Sequence, residues 1–307
     1  MKIKLALLFI MAGFLTVISA NGQEKTASCD TEELRGIVYK TVDGKDIKLD
    51  LFLPVRDGER LTGVPLLIWI DSGGYSSGNP GEDNGGKWRE TGGVEKGFAV
   101  ANVTHRGMNE GNVFPKQIED VKAAVRFLRA HAAEYNLDPG KFAVMGGSSG
   151  GHLATFLGIS DKYRLFDVGE SLDQSSQVQC VIDVCGTTFM PLAFVNYGIP
   201  EVVDTIEKIG GLTVDRTKPI WEQPEAMATC MKYSVVTYVD ADYSPTLIVQ
   251  GALDPAIMPS QSFLFYEMLK KYGVRTELKF VEEGEHNVFL KMTREEMETL
   301  FYGFLGW

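Results

Sequence analysis

Short apolar runs and amphipathic helical stretches alternate along this chain over roughly 240 residues, and no other feature restricts its fold as much. The runs at 65–70, 98–104, 142–145, 178–184, 246–250 and 276–281 fit strands, and the run at 65–70 is unbroken, as a strand buried on both faces requires. Between them the clearest helix covers 115–135, where Ile118, Val121, Val125, Leu128 and Ala132 recur every three or four positions. Later helices are expected at 259–272 and 293–305. Asp138-Pro139-Gly140 marks the turn into the next strand. Upstream, strand-like runs at 35–41 and 46–53 flank Asp43-Gly44, a hairpin turn signal. The pattern predicts an α/β fold: a mostly parallel sheet with an antiparallel N-terminal hairpin and helices on both faces. Two linked domains are the competing arrangement, but no Pro/Ser-rich linker or charge run divides the chain, so 31–307 is read as one domain. Residues 186–236, rich in Pro, Gly and aromatics, fit neither strand nor helix. They are expected to form a cap-like insertion over the C-terminal edge of the sheet, where open α/β sheets bind ligands.

The first twenty residues read as a leader rather than as part of the fold. Lys2 and Lys4 precede an apolar run at 5–18, and Ile18-Ser19-Ala20 ends in a small residue, the layout of a secretory signal peptide over 1–20. The run is shorter than the roughly 20 residues that span a bilayer. The expected product is secreted or periplasmic, with no membrane partner once the signal is removed. The net charge of −11 and a preponderance of acids over bases exclude a nucleic-acid binder, which needs clustered Lys and Arg. Export permits disulfides. Cys180 and Cys185 share one expected strand, where five residues span about 16 Å, too far for a bridge. They are expected as buried free thiols, and nothing in the sequence supports or excludes a Cys29 to Cys230 bridge.

The chemistry should sit at Met145-Gly146-Gly147-Ser148-Ser149-Gly150-Gly151-His152, which follows a strand and opens a helix. A serine with glycines two positions before and after it, at such a junction, describes a nucleophile turn. Side chains at the flanking positions would strike neighbouring backbone, and the helix N-terminus favours negative charge at the site. The spacing fits Ser148 and also Ser149. Ser148 is preferred because it lies closer to the strand end, which leaves Ser149 to donate its backbone N–H. A phosphate-binding glycine loop is the alternative, but the P-loop lysine is missing and the dinucleotide spacing does not fit.

A serine hydroxyl needs a base to take its proton, and the base needs an orienting carboxylate. With the order Ser, acid, His, only His152 and His286 follow the serine. His152 sits one turn along the nucleophile helix and is read as structural. His286, in the loop after 276–281, is the base. Asp254, in Gly251-Ala252-Leu253-Asp254-Pro255 after 246–250, is the acid, with Asp183 as runner-up. Gly73 and Gly74, directly after 65–70, are the candidate oxyanion donors together with Ser149 N–H. No ligand cluster with zinc spacing is present in the sequence, so neither metal nor cofactor is expected.

These residues together resemble the α/β-hydrolase superfamily, in its esterase/lipase branch of bacterial carboxylesterases, acetyl esterases and bifunctional deacetylase/feruloyl esterases. The resemblance covers nearly all of residues 35–307 and is most specific at 114–126, 146–154 and 251–255. It places Ser148, Asp254 and His286 on the branch's nucleophile, acid and base. It implies a serine hydrolase that cleaves carboxylic esters through an acyl-enzyme; together with export it points to acetyl or feruloyl esters on plant polysaccharides as the expected substrates, with small lipid-like esters as the alternative. A serine peptidase of the prolyl-oligopeptidase type and a non-catalytic binding protein on the same scaffold are the alternatives. One departure stands out. Where the branch usually has His-Gly-Gly-Gly, this chain has Asp71-Ser72-Gly73-Gly74. The aspartate must be paired or turned away from the oxyanion, and Arg106 is the expected partner.

Overall fold

A computed structural model describes residues 28–77, 92–193, 204, 207, 208, 211 and 213–307. The expected signal peptide therefore lies outside the described residues. The apolar runs become strands of one sheet: β1 (Asp30–Val42), β2 (Lys45–Arg56), β3 (Glu59–Arg60), β4 (Val64–Ile70), β5 (Ala99–Val103), β6 (Leu137–Gly147), β7 (Cys180–Val184), β8 (Thr246–Gly251) and β9 (Thr276–Val281). Their order is β1-β2-β5-β4-β6-β7-β8-β9, with β3 beside β2. β1 pairs antiparallel with β2, and β2 antiparallel with β5. From β5 to β9 every pairing is parallel.

The interior strands β5 and β7 are buried along their whole length because helices cover both faces. On one face lie α1 (Lys116–Ala130), α2 (Ser149–Leu157) and the later α5 (Pro259–Lys271). Ile118, Val121, Val125 and Leu128 of α1, Leu153 and Phe156 of α2, and Phe265 and Leu269 of α5 pack there against Leu66, Ile68, Ile70, Phe142 and Val144. On the other face α6 (Arg294–Leu305) brings Met297, Phe301 and Phe304 against Leu67, Trp69, Val100 and Val249. Each such buried side chain contributes about 1.5–3 kcal/mol.

The hairpin strands run further than their apolar cores, since β1 at the sheet edge tolerates polar residues on its open face. α1 stops at Ala130 rather than at 135, and the chain reverses through Asn136 at φ +58 into β6. Within 186–236, α3 (Met190–Ala193), α4 (Pro224–Lys232) and single turns at Ile220–Glu222 and Val235–Tyr238 are described. Cys230, Tyr233 and Val235 are buried in the larger core cluster, so this end of the segment belongs to the body of the fold. Residues 194–203 lie outside the described residues, and with them much of the expected cap. All four cysteines are buried free thiols, Cys29 and Cys230 among them. No helix among the described residues is long and apolar enough to cross a membrane.

Candidate active site

Ser148 sits between the end of β6 and the first residue of α2 at φ +54, ψ −119, a backbone region that costs a non-glycine residue free energy. The turn is held by Ser148 N–H donating to Val184 O at 2.8 Å. The neighbouring glycines show why the chain needs them. A Cβ on Gly146 would lie 2.3 Å from Gly150 O, and one on Gly150 would lie 2.3 Å from Ile70 O. At Gly147 the nearest atom would be 3.8 Å away. The tight pair is thus Gly146 and Gly150, the two that flank Ser148. Gly151 is also crowded, its Cβ position falling 2.5 Å from Asp183 Oδ1.

The structure brings Ser148, His286 and Asp254 together from the ends of β6, β9 and β8. Ser148 Oγ is 2.9 Å from His286 Nε2, and His286 Nδ1 is 2.8 Å from Asp254 Oδ2. A carboxylate only accepts, so Nδ1 carries the proton and Nε2 is left to accept from the serine hydroxyl. Asp254 is well held. Its Oδ1 accepts from the backbone N–H of Ala256 and Ile257 at 2.8 and 2.9 Å, and its Oδ2 also accepts from Gln250 Nε2 at 3.1 Å. Burial works to raise its pKa, but His286 and those backbone N–H groups outweigh it and keep the carboxyl below its ordinary value.

Two supporting residues, Gln250 and Tyr75, do not stand out in the sequence, and Gly251 of the acid's own motif gains a second role. Gln250 is fully buried and clamps Asp254, while its own Oε1 accepts from Ser262 at 2.7 Å. A polar residue ending an otherwise apolar strand was the signal for it. Gly251 lets the His286 loop reach the tip of β8, for a Cβ there would lie 2.2 Å from Glu285 O and 2.5 Å from Gly284 O. Leu253 N–H donates to Gly284 O at 2.9 Å and completes that junction. Tyr75 belongs to the loop after β4 that carries Gly73 and Gly74.

Gly73 and Gly74 follow β4 at φ +111 and +63, angles that glycine adopts without strain. The crowding of Gly150 against Ile70 O and Asp71 O sets this loop against the first turn of α2. Among the described residues, nothing accepts a hydrogen bond from the Gly73 or Gly74 N–H. Tyr75 OH lies 2.8 Å from His152 Nδ1, and His152 Nε2 lies 2.9 Å from Tyr233 O. A carbonyl only accepts, so Nε2 carries the hydrogen and Nδ1 accepts from the tyrosine. His152 thus ties the Gly73–Gly74 loop to α2 and to the end of the 186–236 segment, the structural role its position suggested. Burial depresses its pKa to about 4, so the ring is neutral.

The expected Asp71 to Arg106 pair is replaced by other partners. Asp71 Oδ1 accepts from Trp69 Nε1 at 3.1 Å. Arg106 turns to Asp120 and Glu119, with Nε 2.8 Å from Asp120 Oδ2, because the buried carboxylate on α1 offers two oxygens to its fork. Asp183, the runner-up acid, is buried at the end of β7 against Gly151 and Gly186 rather than beside His286. Burial pushes it up to about 7, with the Gly186 backbone N–H pulling weakly the other way. His105 is buried with Nδ1 3.1 Å from Arg106 O, and His131 stacks on Phe127.

A nucleophile-type turn between strand and helix, with acid and base on later strand tips of a mostly parallel sheet, defines an α/β-hydrolase fold. Within that class, residues 49–269 match the BD-FAE family, and the chain belongs to it. The probable carboxylic ester hydrolase LipM of Mycobacterium tuberculosis is 26% identical over 231 residues, 73% of this chain and 50% of LipM. The chain spans about half the length of the curated relatives it matches, 52% in the case of an Arabidopsis thaliana probable isoprenylcysteine alpha-carbonyl methylesterase. Among solved structures, a bifunctional GH43-CE protein of Bacteroides eggerthii is 26% identical with a TM-score of 0.70, covering 89% of this chain and 35% of that one. A truncated carbohydrate esterase from gut microbiota shares the fold at 23% identity and a TM-score of 0.69, covering 92% and 99%.

Proposed function

We propose that this chain is an exported serine esterase that hydrolyses carboxylic esters through an acyl-enzyme. The observation that carries the reading is the hydrogen-bonded chain from Ser148 Oγ through His286 to Asp254, 2.9 and 2.8 Å long, starting from a strained serine at a helix N-terminus. Ser148 Oγ attacks the ester carbonyl while His286 Nε2 takes its proton. Asp254 keeps the ring in the Nδ1–H tautomer and stabilises the imidazolium. The N–H groups of Gly73, Gly74 and Ser149 receive the oxyanion, each donor contributing about 3 kcal/mol to the transition state. His286 returns the proton to the leaving alcohol, and a water activated by the same ring releases the acid.

Acetyl and feruloyl esters on plant polysaccharides are the substrates we favour. Membership of the BD-FAE family, the carbohydrate esterase among the structural neighbours and the GH43-CE protein support that choice. The leader-like residues 1–20 support an exported, secreted or periplasmic enzyme, and the 186–236 segment is the part we assign to substrate selection.

Labelling with a fluorophosphonate probe tests the nucleophile. The native protein should be labelled at Ser148. Ser148→Ala should lose labelling and at least about 10⁴-fold in kcat on p-nitrophenyl acetate, while Ser149→Ala, which keeps its N–H, should lose only a few-fold. The opposite ranking would move the nucleophile to Ser149. Hydrolysis of acetylated and feruloylated oligosaccharides, compared with simple alkyl esters, tests the substrate class. A higher kcat/KM on alkyl esters alone would argue against polysaccharide esters.

A further inference from the structure

Three metal-ligating side chains meet where β7, β8 and β9 end. The sulfur of Cys185, a carboxylate oxygen of Asp254 and a ring nitrogen of His286 all lie within 4.8 Å of one another. Cys185 is buried, and it holds a left-handed backbone at φ +51, which is uncommon for a residue with a side chain. Its N–H is tied to Val249 O at 2.9 Å, which anchors the bend to β8. The hydrolytic cycle described above uses Asp254 and His286 but gives the thiol no step.

We propose that Cys185, Asp254 and His286 form an inhibitory site for one thiophilic divalent cation, of the zinc and cadmium class. The inference rests on the reading of Asp254 and His286 as acid and base. Thiolate, imidazole and carboxylate are the ligand types zinc takes, at about 2.3, 2.0 and 2.1 Å. Tetrahedral angles then separate the ligand atoms by roughly 3.3–3.7 Å. The three ligand atoms start no more than 4.8 Å apart, so the sulfur has at most about 1–1.5 Å to close, and the 2.8 Å hydrogen bond between His286 and Asp254 has to open by about half an ångström. The ring is the way in, because the His286 side chain is 34% exposed while that of Asp254 is fully covered. On binding, the thiol proton leaves to solvent and the imidazole proton passes from Nδ1 to Nε2, which frees Nδ1 for the metal. Nε2 then carries hydrogen and can only donate. It cannot take the proton of Ser148, so the cation stops hydrolysis without touching the nucleophile. Water completes the fourth coordination position.

The test titrates ZnCl₂ against p-nitrophenyl acetate hydrolysis and CdCl₂ against ultraviolet absorption from cadmium–thiolate charge transfer. Zinc should inhibit the native protein saturably, and EDTA should restore the rate. In Cys185→Ala the half-inhibiting zinc concentration, referred to that variant's own rate, should rise at least about tenfold. Cys185→Ser, closer in shape, serves where the alanine variant does not fold. Cadmium added to Ser148→Ala should give the thiolate absorption, and adding Cys185→Ser to that variant should remove the share due to this site. Absence of zinc inhibition, equal inhibition with and without Cys185, or an unchanged cadmium signal on its loss would each overturn the proposal. The cadmium comparison needs no turnover. A protein that hydrolyses no ester would therefore sink the esterase reading and leave the metal site to be decided by absorption.

Discussion

Ser148 is kept in a costly backbone state by its neighbours, and the cost is what aims its hydroxyl away from the helix and toward His286. The two glycines around it are required for different contacts, one against α2 and one against the end of β4. That geometry makes a sharp prediction. Gly146→Ala and Gly150→Ala should fail to give soluble protein or should lose several kcal/mol of stability, since each new Cβ meets backbone at 2.3 Å. Gly147→Ala should fold with a melting temperature close to that of the native protein, because its nearest neighbour would be 3.8 Å away. Thermal melts of the three variants check this. Equal damage at all three would mean that the turn is not built around Ser148. At this scale the sequence was readable wherever a residue sits on its own strand tip, as Ser148, Asp254 and His286 do. It misled at Asp71, since only the fold shows that Asp120 on α1 presents a buried carboxylate to the Arg106 guanidinium.

One buried side-chain bridge ties the loop after β4 to α2, beside the backbone bond from Met108 N–H to Tyr75 O at 2.9 Å. Tyr75 OH donates to a neutral, buried His152 that cannot find another donor without moving. Tyr75→Phe should leave Nδ1 unsatisfied and destabilise the protein by about 1–3 kcal/mol. The same change should loosen Gly73 and Gly74, so kcat should fall more than KM rises. Urea denaturation alongside steady-state kinetics checks both, and a drop confined to KM would place the loop in substrate binding instead of oxyanion stabilisation. The bridge was not legible from the chain alone, for it links positions 75, 152 and 233 across three elements. Strand and helix identity was legible, because buried parallel strands demand unbroken apolar runs and α1 repeats its apolar face every three or four residues. Element ends were not, as with β6, which begins at Leu137, ahead of its apolar run. The end of the 186–236 segment also escaped, since Cys230, Tyr233 and Val235 are scattered apolar residues whose burial is decided by distant partners.

For the molecule as a whole, two buried groups pull its stability in opposite directions as pH changes. His152, depressed by burial to about 4, returns to about 6.5 when unfolded. Between these values the unfolded state holds the extra proton, so its contribution is complete above about pH 6.5 and is lost as pH falls toward 4. Asp183, raised by burial to about 7, drops to about 3.9 when unfolded. There the folded state holds the extra proton, so stability declines as pH rises through that window. The two slopes largely cancel between about pH 4 and 6.5. Asp183→Asn removes one of them. The unfolding free energy of that variant relative to the native protein should grow by a few kcal/mol between pH 4 and pH 8. Denaturant titrations over that range decide it, and a difference that stays constant would show that Asp183 is ionised throughout.

β9, the strand before His286, closes one side of the sheet and among the described residues is paired only with β8. A sheet margin frays at lower free energy than its centre. Were that margin to peel back, His286 would leave with it while every pairing from β1 to β8 stayed intact. Warming should therefore stop the proposed ester hydrolysis, reversibly, before the protein melts, and stapling the rim would be a route to heat tolerance that leaves Ser148 untouched.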